Sequence, residues 1–148
     1  IFMIIYYKFS GLNAVVALIL NVIILFGALA YFRATLTLPG IAGIILGLGM
    51  AVDANVLVFE RIREEHALGK SITNSIALGF SRAFSAIFDS NLTTVISAIF
   101  LFQFGTGPIK GYAVTLIISL VANIFTAVFV SHLIFDLTVT KKAKKLSI

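Results

Sequence analysis

The stretch GIAGIILGLGMAVDANVLVF, residues Gly40–Phe59, decides the fold because it is apolar around its whole circumference. A helix that crosses a bilayer needs roughly 20 apolar residues, and this stretch supplies them. A helix on the surface of a soluble domain would instead carry a periodic polar face. Asp53 is the one charged residue in the stretch. The sequence therefore predicts a membrane-spanning helix here.

Three further runs of this kind predict three more spans, Leu12–Phe32, Phe84–Phe104 and Gly111–Phe135. The opening Ile1–Tyr7 is apolar but too short to cross a bilayer. We expect it to be the end of a helix that begins upstream, followed by a turn at Lys8–Gly11. The predicted fold is all-α: one polytopic transmembrane bundle of residues 1–148, with four complete spans and the end of a fifth.

The composition agrees with lipid as the solvent. Of the 148 residues, 60% are hydrophobic and 11% are charged, whereas soluble domains average about 25% charged residues. The absence of cysteine excludes disulfides and thiolate metal sites. The sequence contains no GxxxxGK[ST] nucleotide motif, and its basic residues flank the apolar runs in a way that does not suggest nucleic acid. We expect a protein that is not an enzyme and that binds no cofactor, and any energy that it uses would come from an ion gradient or from a partner.

The basic residues predict the orientation, because loops rich in lysine and arginine stay in the cytoplasm. Nine of the eleven fall on one side of the predicted spans, and Arg33 and Lys110 fall on the other. The nine are Lys8, Arg61, Arg63, Lys70, Arg82, Lys141, Lys142, Lys144 and Lys145. The tail at residues 136–148 is therefore predicted to be cytoplasmic and close to anionic lipid headgroups.

The long polar connection at residues 60–82 is predicted to be a cytoplasmic, amphipathic connector. Gly69 interrupts it, and Ile72, Ile76 and Phe80 then recur at helical spacing. This pattern predicts a separate helix lying on the membrane surface.

Asp53 is the main candidate functional residue. It lies about seven residues from the cytoplasmic end of its predicted helix, roughly 10 Å into the hydrocarbon. An ionised carboxylate at such a depth costs at least ~2.5 kcal/mol, so it is tolerated when protonated, paired or in contact with water. Asp53 is therefore a candidate proton carrier. The alternative is a neutral side chain that hydrogen-bonds to a neighbouring helix.

Several polar residues near Asp53 predict either a relay around it or ordinary hydrogen bonds between helices. They are Asn55 on the same helix and Asp89, Asn91, Thr93 and Thr94 at the start of the next span. Asp89 is predicted to lie at a shallower depth than Asp53. In the last span, His132 and Asp136 are spaced i, i+4, which favours a salt bridge over a relay.

Glycines on the Asp53 helix predict close helix packing. Gly43 and Gly47 form a GxxxG pair, a motif that lets a second backbone approach closely. Gly49, on the same helix, is also predicted to take part in helix packing.

Five strings resemble the SecD/SecF family of Sec translocase subunits, which belongs to the resistance-nodulation-division superfamily of proton-driven transporters. They are LTLPGIAGIIL (Leu36–Leu46), GLGMAVDANVLVFERIREE (Gly47–Glu65), FDSNLTT (Phe88–Thr94), GTGPIKGYAVTL (Gly105–Leu116) and KKLSI (Lys144–Ile148). The resemblance implies the membrane domain of a longer subunit with six membrane helices and a large extracytoplasmic domain, of which the first helix and that domain lie outside this chain. It also implies a place in the bacterial plasma membrane.

The resemblance also implies a function and a site. Members use the proton-motive force to promote export of secreted polypeptides, together with SecF and the SecYEG channel. Asp53 matches the family's membrane carboxylate, and Asp89–Thr94 match its polar motif, although Ser90 and Tyr112 stand where the family pattern has Ala and Phe. The family also uses an arginine of SecF inside the membrane, and this sequence has no basic residue within a span.

Three other classes compete with this interpretation. A superfamily member that exports lipids or small molecules would share the intramembrane aspartate. An intramembrane aspartyl protease would need a GxGD signature and two neighbouring carboxylates, but the sequence has GMAVD, and Asp53 and Asp89 are predicted at different depths. A purely structural subunit would use Asp53 only for hydrogen bonding.

Overall fold

The structure, a computed structural model, describes residues 1–142 and is helical nearly throughout, with no strand among these residues. Its elements are α1 (Phe2–Tyr31), α2 (Leu38–Ala67), α3 (Ile72–Phe104), α4 (Gly107–Ile124), a π-helical segment (Phe125–Val130) and α5 (Ser131–Lys142). Four stretches are long and apolar enough to cross a membrane, and the fourth combines α4, the π-helical segment and part of α5. The predicted all-α fold with four spans is confirmed. The end of the predicted basic tail, residues 143–148, lies outside the described residues.

Local side chains explain where α2 and α3 begin and end. Thr37 Oγ1 accepts a hydrogen bond from Gly40 N at 3.1 Å, and a proline occupies the first turn of α2. Ser71 Oγ accepts from Asn74 N at 3.4 Å at the start of α3. Between the two helices, Gly69 adopts φ +81°, a conformation that only glycine adopts without strain. The connection between α2 and α3 is therefore a tight turn, and the end of the bundle where it lies is called the connector end below.

The predicted turn after the opening segment is confirmed. Lys8 interrupts α1 with the non-helical angles φ 49° and ψ −114°. A Cβ added to Gly11 would lie 3.0 Å from Ile4 Cα and closer still to the Met3 carbonyl oxygen. In an unbroken helix, residues seven apart would be separated by about 10 Å along the axis. Because Gly11 and Ile4 are much closer than that, the opening residues fold back against the start of the first span.

The prediction of a separate surface helix after Gly69 was wrong. The residues assigned to it form the first turns of α3, which runs without a break from Ile72 to Phe104. No helix-breaking residue separates them from the span. Ile76, Phe80 and Ile87 are all buried in one apolar cluster, so a single face of one helix continues through the region.

The glycines of α2 pack against α4, which runs parallel to it. A Cβ on Gly43 would lie 3.2 Å from the Tyr112 carbonyl oxygen, and one on Gly47 would overlap Ser119 Oγ. The GxxxG prediction therefore agrees with the structure at these two positions. Gly49 packs against no other helix of the described residues, because it is exposed and no atom lies within 4 Å of its would-be Cβ. Two residues further along, the helix has turned by roughly 200°.

Candidate functional site: two aspartates and a buried amide belt

Asp53 lies on the outer surface of the bundle, midway along α2. Its side chain is exposed, whereas its neighbours Ala54 and Asn55 are buried. Its carboxylate forms no hydrogen bond or ion pair with any side chain or backbone group that the structure describes. A carboxylate that faces outward from the middle of a membrane helix is tolerated when it is protonated, paired or in contact with water.

Asp89 lies at the same depth as Asp53, contrary to the sequence prediction. The antiparallel helices α2 and α3 meet where Ile62 contacts Gly79. From that crossing, Asp53 is nine residues along α2 and Asp89 is ten residues along α3, both away from the connector end. At about 1.5 Å per residue the two depths agree to within about 2 Å. The depth argument against a protease therefore fails, and the missing GxGD signature is the argument that stands against it.

Asp89 belongs to a row of small polar side chains on the outer face of α3. All of its members are exposed and follow one another at intervals of four residues; they are Ser81, Ser85, Asp89, Thr93 and Ser97. Such i, i+4 rows form the ridges through which helices pack. We call these five residues the α3 polar row. It runs for several turns along a span that is otherwise apolar.

The structure separates the residues predicted to form a relay around Asp53. Thr93 and Thr94 donate to carbonyl oxygens of their own helix, at 2.9 and 3.0 Å. Asn55 and Asn91 are buried in the bundle interior. Asn55 donates to the Ala51 carbonyl oxygen at 2.9 Å. None of these side chains contacts the Asp53 carboxylate, so the structure does not support a relay within this chain.

The bundle interior holds a set of buried asparagines, of which the sequence analysis names Asn55 and Asn91 as candidate site residues. Of the six asparagines in the chain, Asn74 is exposed and the other five have at most 3% of their surface exposed. We call these five the amide belt: Asn13, Asn21, Asn55, Asn91 and Asn123. They come from all four spans. The available signal was the occurrence of asparagine inside apolar runs, which also applied to Asn13 and Asn21.

Hydrogen bonds join much of the amide belt across three helices. Asn21 donates to Thr126 Oγ1 at 3.3 Å, and Asn123 donates to Asn91 Oδ1 at 3.4 Å. Near the connector end, Asn13 donates to the Ser131 carbonyl oxygen at 3.1 Å. Hydrogen bonds of this kind between membrane helices each contribute about 0.6–2 kcal/mol.

Several oxygens at the belt have no hydrogen-bond donor among the described residues. They belong to the side chains of Asn13, Asn21, Asn55, Ser119, Asn123 and Ser131. An unpaired buried polar atom costs about 1–3 kcal/mol. The belt therefore stabilises the bundle less than its number of amides suggests.

The π-helical segment lies at the belt. Thr126, within the segment, accepts from Asn21 and donates to the Ala122 carbonyl oxygen at 3.0 Å. A π-helical turn displaces carbonyl groups from their usual α-helical partners and is common at functional sites. The Thr126 hydroxyl thus links this irregular backbone to α1.

Two networks of charged side chains lie at the connector end. On one side, Tyr7 donates to Glu60 at 2.8 Å, and Arg63 pairs with Glu60 at 3.1 Å. On the other, Glu65 pairs with both Lys70 and Arg82. The hydrogen bond from Lys70, followed by the charge of Arg82, lowers the pKa of the Glu65 carboxyl below its ordinary range, against the opposing effect of burial.

We expect the connection between α2 and α3 to loosen in acid. A lowered folded-state pKa means that the Glu65 ion pairs stabilise the fold above the ordinary pKa of glutamate and are lost as the pH falls through the lowered value. The protection factors of the amides at residues 65–82, which compare their exchange rates with those of an unfolded chain at the same pH, should fall between pH 7 and pH 3. A Glu65→Gln variant should show low protection at every pH; a pH profile like that of the wild type would contradict this assignment.

The His132–Asp136 pair also forms, at 3.8 Å, as its i, i+4 spacing predicts. Among the described residues no three histidine, cysteine, aspartate or glutamate side chains are grouped in a way that could hold a metal ion.

Known proteins resemble this chain along its whole length. Residues 1–141 match the family described as protein export membrane protein SecD/SecF, C-terminal. The chain is 60% identical to the protein translocase subunit SecD of Calditerrivibrio nitroreducens, with all of the chain and 29% of that protein covered. It is 55% identical to the SecD subunit of Rhodothermus marinus, with all of the chain and 24% of that protein covered.

A solved structure has the same fold. It is SecDF, a translocon-associated membrane protein from Thermus thermophilus, which matches with a TM-score of 0.90 and 41% identity over 97% of this chain and 20% of its own. The chain thus spans less than a third of the length of these relatives. From the family match and these identities together, the chain belongs to the SecD/SecF family of protein export membrane proteins and corresponds to its carboxyl-terminal membrane region.

Proposed function

We propose that the chain is the proton-driven membrane part of a SecD-type accessory subunit of the Sec translocase, with Asp53 as the proton carrier. The subunit would promote export of secreted polypeptides through the SecYEG channel without being an enzyme. The observation that carries this proposal is the position of Asp53: outward-facing, without a partner in the described chain, and level with Asp89. Membership in an export family supports the translocase role.

The partner at this site is proposed to be SecF. An ionised carboxylate exposed to lipid costs at least ~2.5 kcal/mol. No arginine or lysine lies within the four apolar runs of the sequence, Leu12–Phe32, Gly40–Phe59, Phe84–Phe104 and Gly111–Phe135. A basic side chain from a second subunit would remove that cost when Asp53 is ionised. The α3 polar row gives a second reason, because small polar ridges suit close contact with another membrane helix.

The proton gradient is the proposed energy source, with no bound cofactor. One proton that crosses a potential of 100 mV releases about 2.3 kcal/mol. This is enough to bias a two-state conformational equilibrium roughly fiftyfold. Protonation of Asp53 would weaken its attraction to the basic group of the partner and so shift the two subunits relative to one another.

The proposed location is the bacterial plasma membrane, with the connector end and the carboxyl terminus in the cytoplasm. Nine of the eleven basic residues then lie on the cytoplasmic side. Those of the carboxyl-terminal tail would contact anionic lipids.

Photo-crosslinking tests the proposed contact with SecF. A photo-reactive residue in place of Gly49 or Thr93, both exposed and near the aspartates, should crosslink to SecF in intact membranes. The same residue in place of Ile19, which is 54% exposed on α1, serves as the control and should crosslink to lipid instead. Equal SecF crosslinking from all three positions, or none from Gly49 and Thr93, would contradict the proposed interface.

A further inference from the structure

Glu65 is buried far more deeply than the other two carboxylates at the connector end. Its side chain is 2% exposed, compared with 40% for Glu60 and 59% for Glu64. Each of the other two pairs with an arginine of its own helix, three residues away. Glu65 instead points into the hairpin formed by α2 and α3.

The partners of Glu65 come from two other elements. Lys70 lies in the turn after Gly69, and Arg82 lies on α3. Arg82 is three residues beyond Gly79 and is therefore further from the connector end than the helix crossing, whereas Glu65 is nearer to that end. The long side chain of Arg82 must extend toward the connector end to meet the Glu65 carboxylate. One buried carboxylate thus joins α2, the turn and α3.

This ion-pair cluster lies beside the closest approach of the two helices. A Cβ on Gly79 would lie 2.8 Å from Ile62 N and 2.9 Å from Ile62 Cα, so the backbones are in contact there. Further from the connector end α3 has less support, since only Ile87, Asn91 and Ala98 are buried between Phe84 and Phe104. The position of α3 relative to α2 therefore depends on the connector end.

We infer that Glu65 is a positioning residue, which joins α2 and α3 into one rigid hairpin and so keeps Asp53 and Asp89 at the same depth. This inference rests on the proposed function for the role of the two aspartates. Asp53 is twelve residues from Glu65 on an unbroken helix, about 18 Å along its axis. A shift of α3 past α2 at the connector end would separate the two carboxylates in depth by the same amount.

The test compares Glu65→Gln with Glu64→Gln in the full-length protein, in membranes that contain its partner subunits. Glu64 is the matched control because it is the adjacent carboxylate and is also paired, but on the surface. Spin labels on cysteines at the exposed Ala67 and Ala77 report the distance between the ends of α2 and α3. The second readout is the stimulation of secretion by the proton-motive force.

We expect Glu65→Gln to broaden the distance distribution and to lower the stimulation about three- to tenfold, while Glu64→Gln changes neither. Glu65→Asp, which keeps the charge, should restore most of both. An unchanged distance distribution in Glu65→Gln overturns the inference, and so does broadening with undiminished stimulation. Lys70→Gln breaks the same cluster from the turn and replaces Glu65→Gln if that variant does not accumulate. Failure of the proposed function would appear separately, as normal stimulation in an Asp53→Asn variant.

Discussion

Asp53→Asn in the full-length protein is expected to abolish the part of secretion that depends on the proton-motive force. Asparagine has nearly the same size as aspartate, but its side chain does not change charge by gaining or losing a proton at neutral pH. A potential of 100 mV can stimulate secretion by at most roughly fiftyfold for each proton that crosses. In this variant we expect no stimulation. The measurement is export of a secreted protein into energised membrane vesicles, with and without an uncoupler.

Assembly should survive this substitution, because the Asp53 carboxylate forms no bond within the described residues that asparagine would break. Asp136→Asn is the matched control: Asp136 is exposed near the connector end, and its variant should retain full stimulation. Asp89→Asn should have a milder effect than Asp53→Asn. Wild-type stimulation in the Asp53→Asn variant would favour a purely structural subunit, and an equally severe loss in Asp89→Asn would place Asp89 in the proton path.

Gly79→Val should destabilise the bundle by roughly 2–3 kcal/mol. The new side chain would collide with the backbone of Ile62, and a backbone cannot move aside as the end of a flexible side chain can. Overpacking of this kind typically costs about 1–3 kcal/mol, and a branched side chain lies at the upper end of that range. The measurement is the midpoint of unfolding in mixed detergent micelles, compared with that of the wild type.

Gly49→Val is the matched control, because Gly49 also lies in the interior of a membrane helix but has no atom within 4 Å of its would-be Cβ. Its stability should stay within about 1 kcal/mol of the wild type, since only helix propensity changes. Similar losses in both variants would show that the cost comes from replacing any helical glycine and not from the crossing of α2 and α3.

The four spans were predictable because length and apolarity are properties of each stretch alone. Gly40–Phe59 satisfies both without reference to any neighbour. The turn at Lys8 was predictable for a related reason, since a short polar interruption follows an apolar run. The GxxxG pair at Gly43 and Gly47 also worked, because a motif of small residues describes one face of one helix.

The errors arose where the answer depends on contacts between helices. Gly49 is like Gly47 in sequence, but it lies on the outer surface of α2, which only the position of α4 reveals. The depth of Asp89 follows from the crossing at Gly79 and not from its distance to the start of an apolar run. The polar residues after Gly69 suggest that a surface helix ends before the third span begins, but in the structure both belong to the single helix α3.

The amide belt shows the same limit. Each buried asparagine is one polar residue in an apolar run, and its own sequence neighbourhood does not say whether it faces lipid, a partner or the interior. Asn21 and Thr126 are 105 residues apart, and their hydrogen bond exists only because α1 packs against the π-helical segment.

The equal depth of Asp53 and Asp89 has a consequence for voltage dependence. Charges at one depth experience the same fraction of the transmembrane electric field, so a proton handed from one carboxylate to the other would do almost no electrical work. The roughly 2.3 kcal/mol available per 100 mV would instead be released as the proton enters from one aqueous face and leaves toward the other. If Asp53 carries the proton as proposed, the rates of entry and exit should vary with membrane voltage, and any transfer between the two aspartates should not.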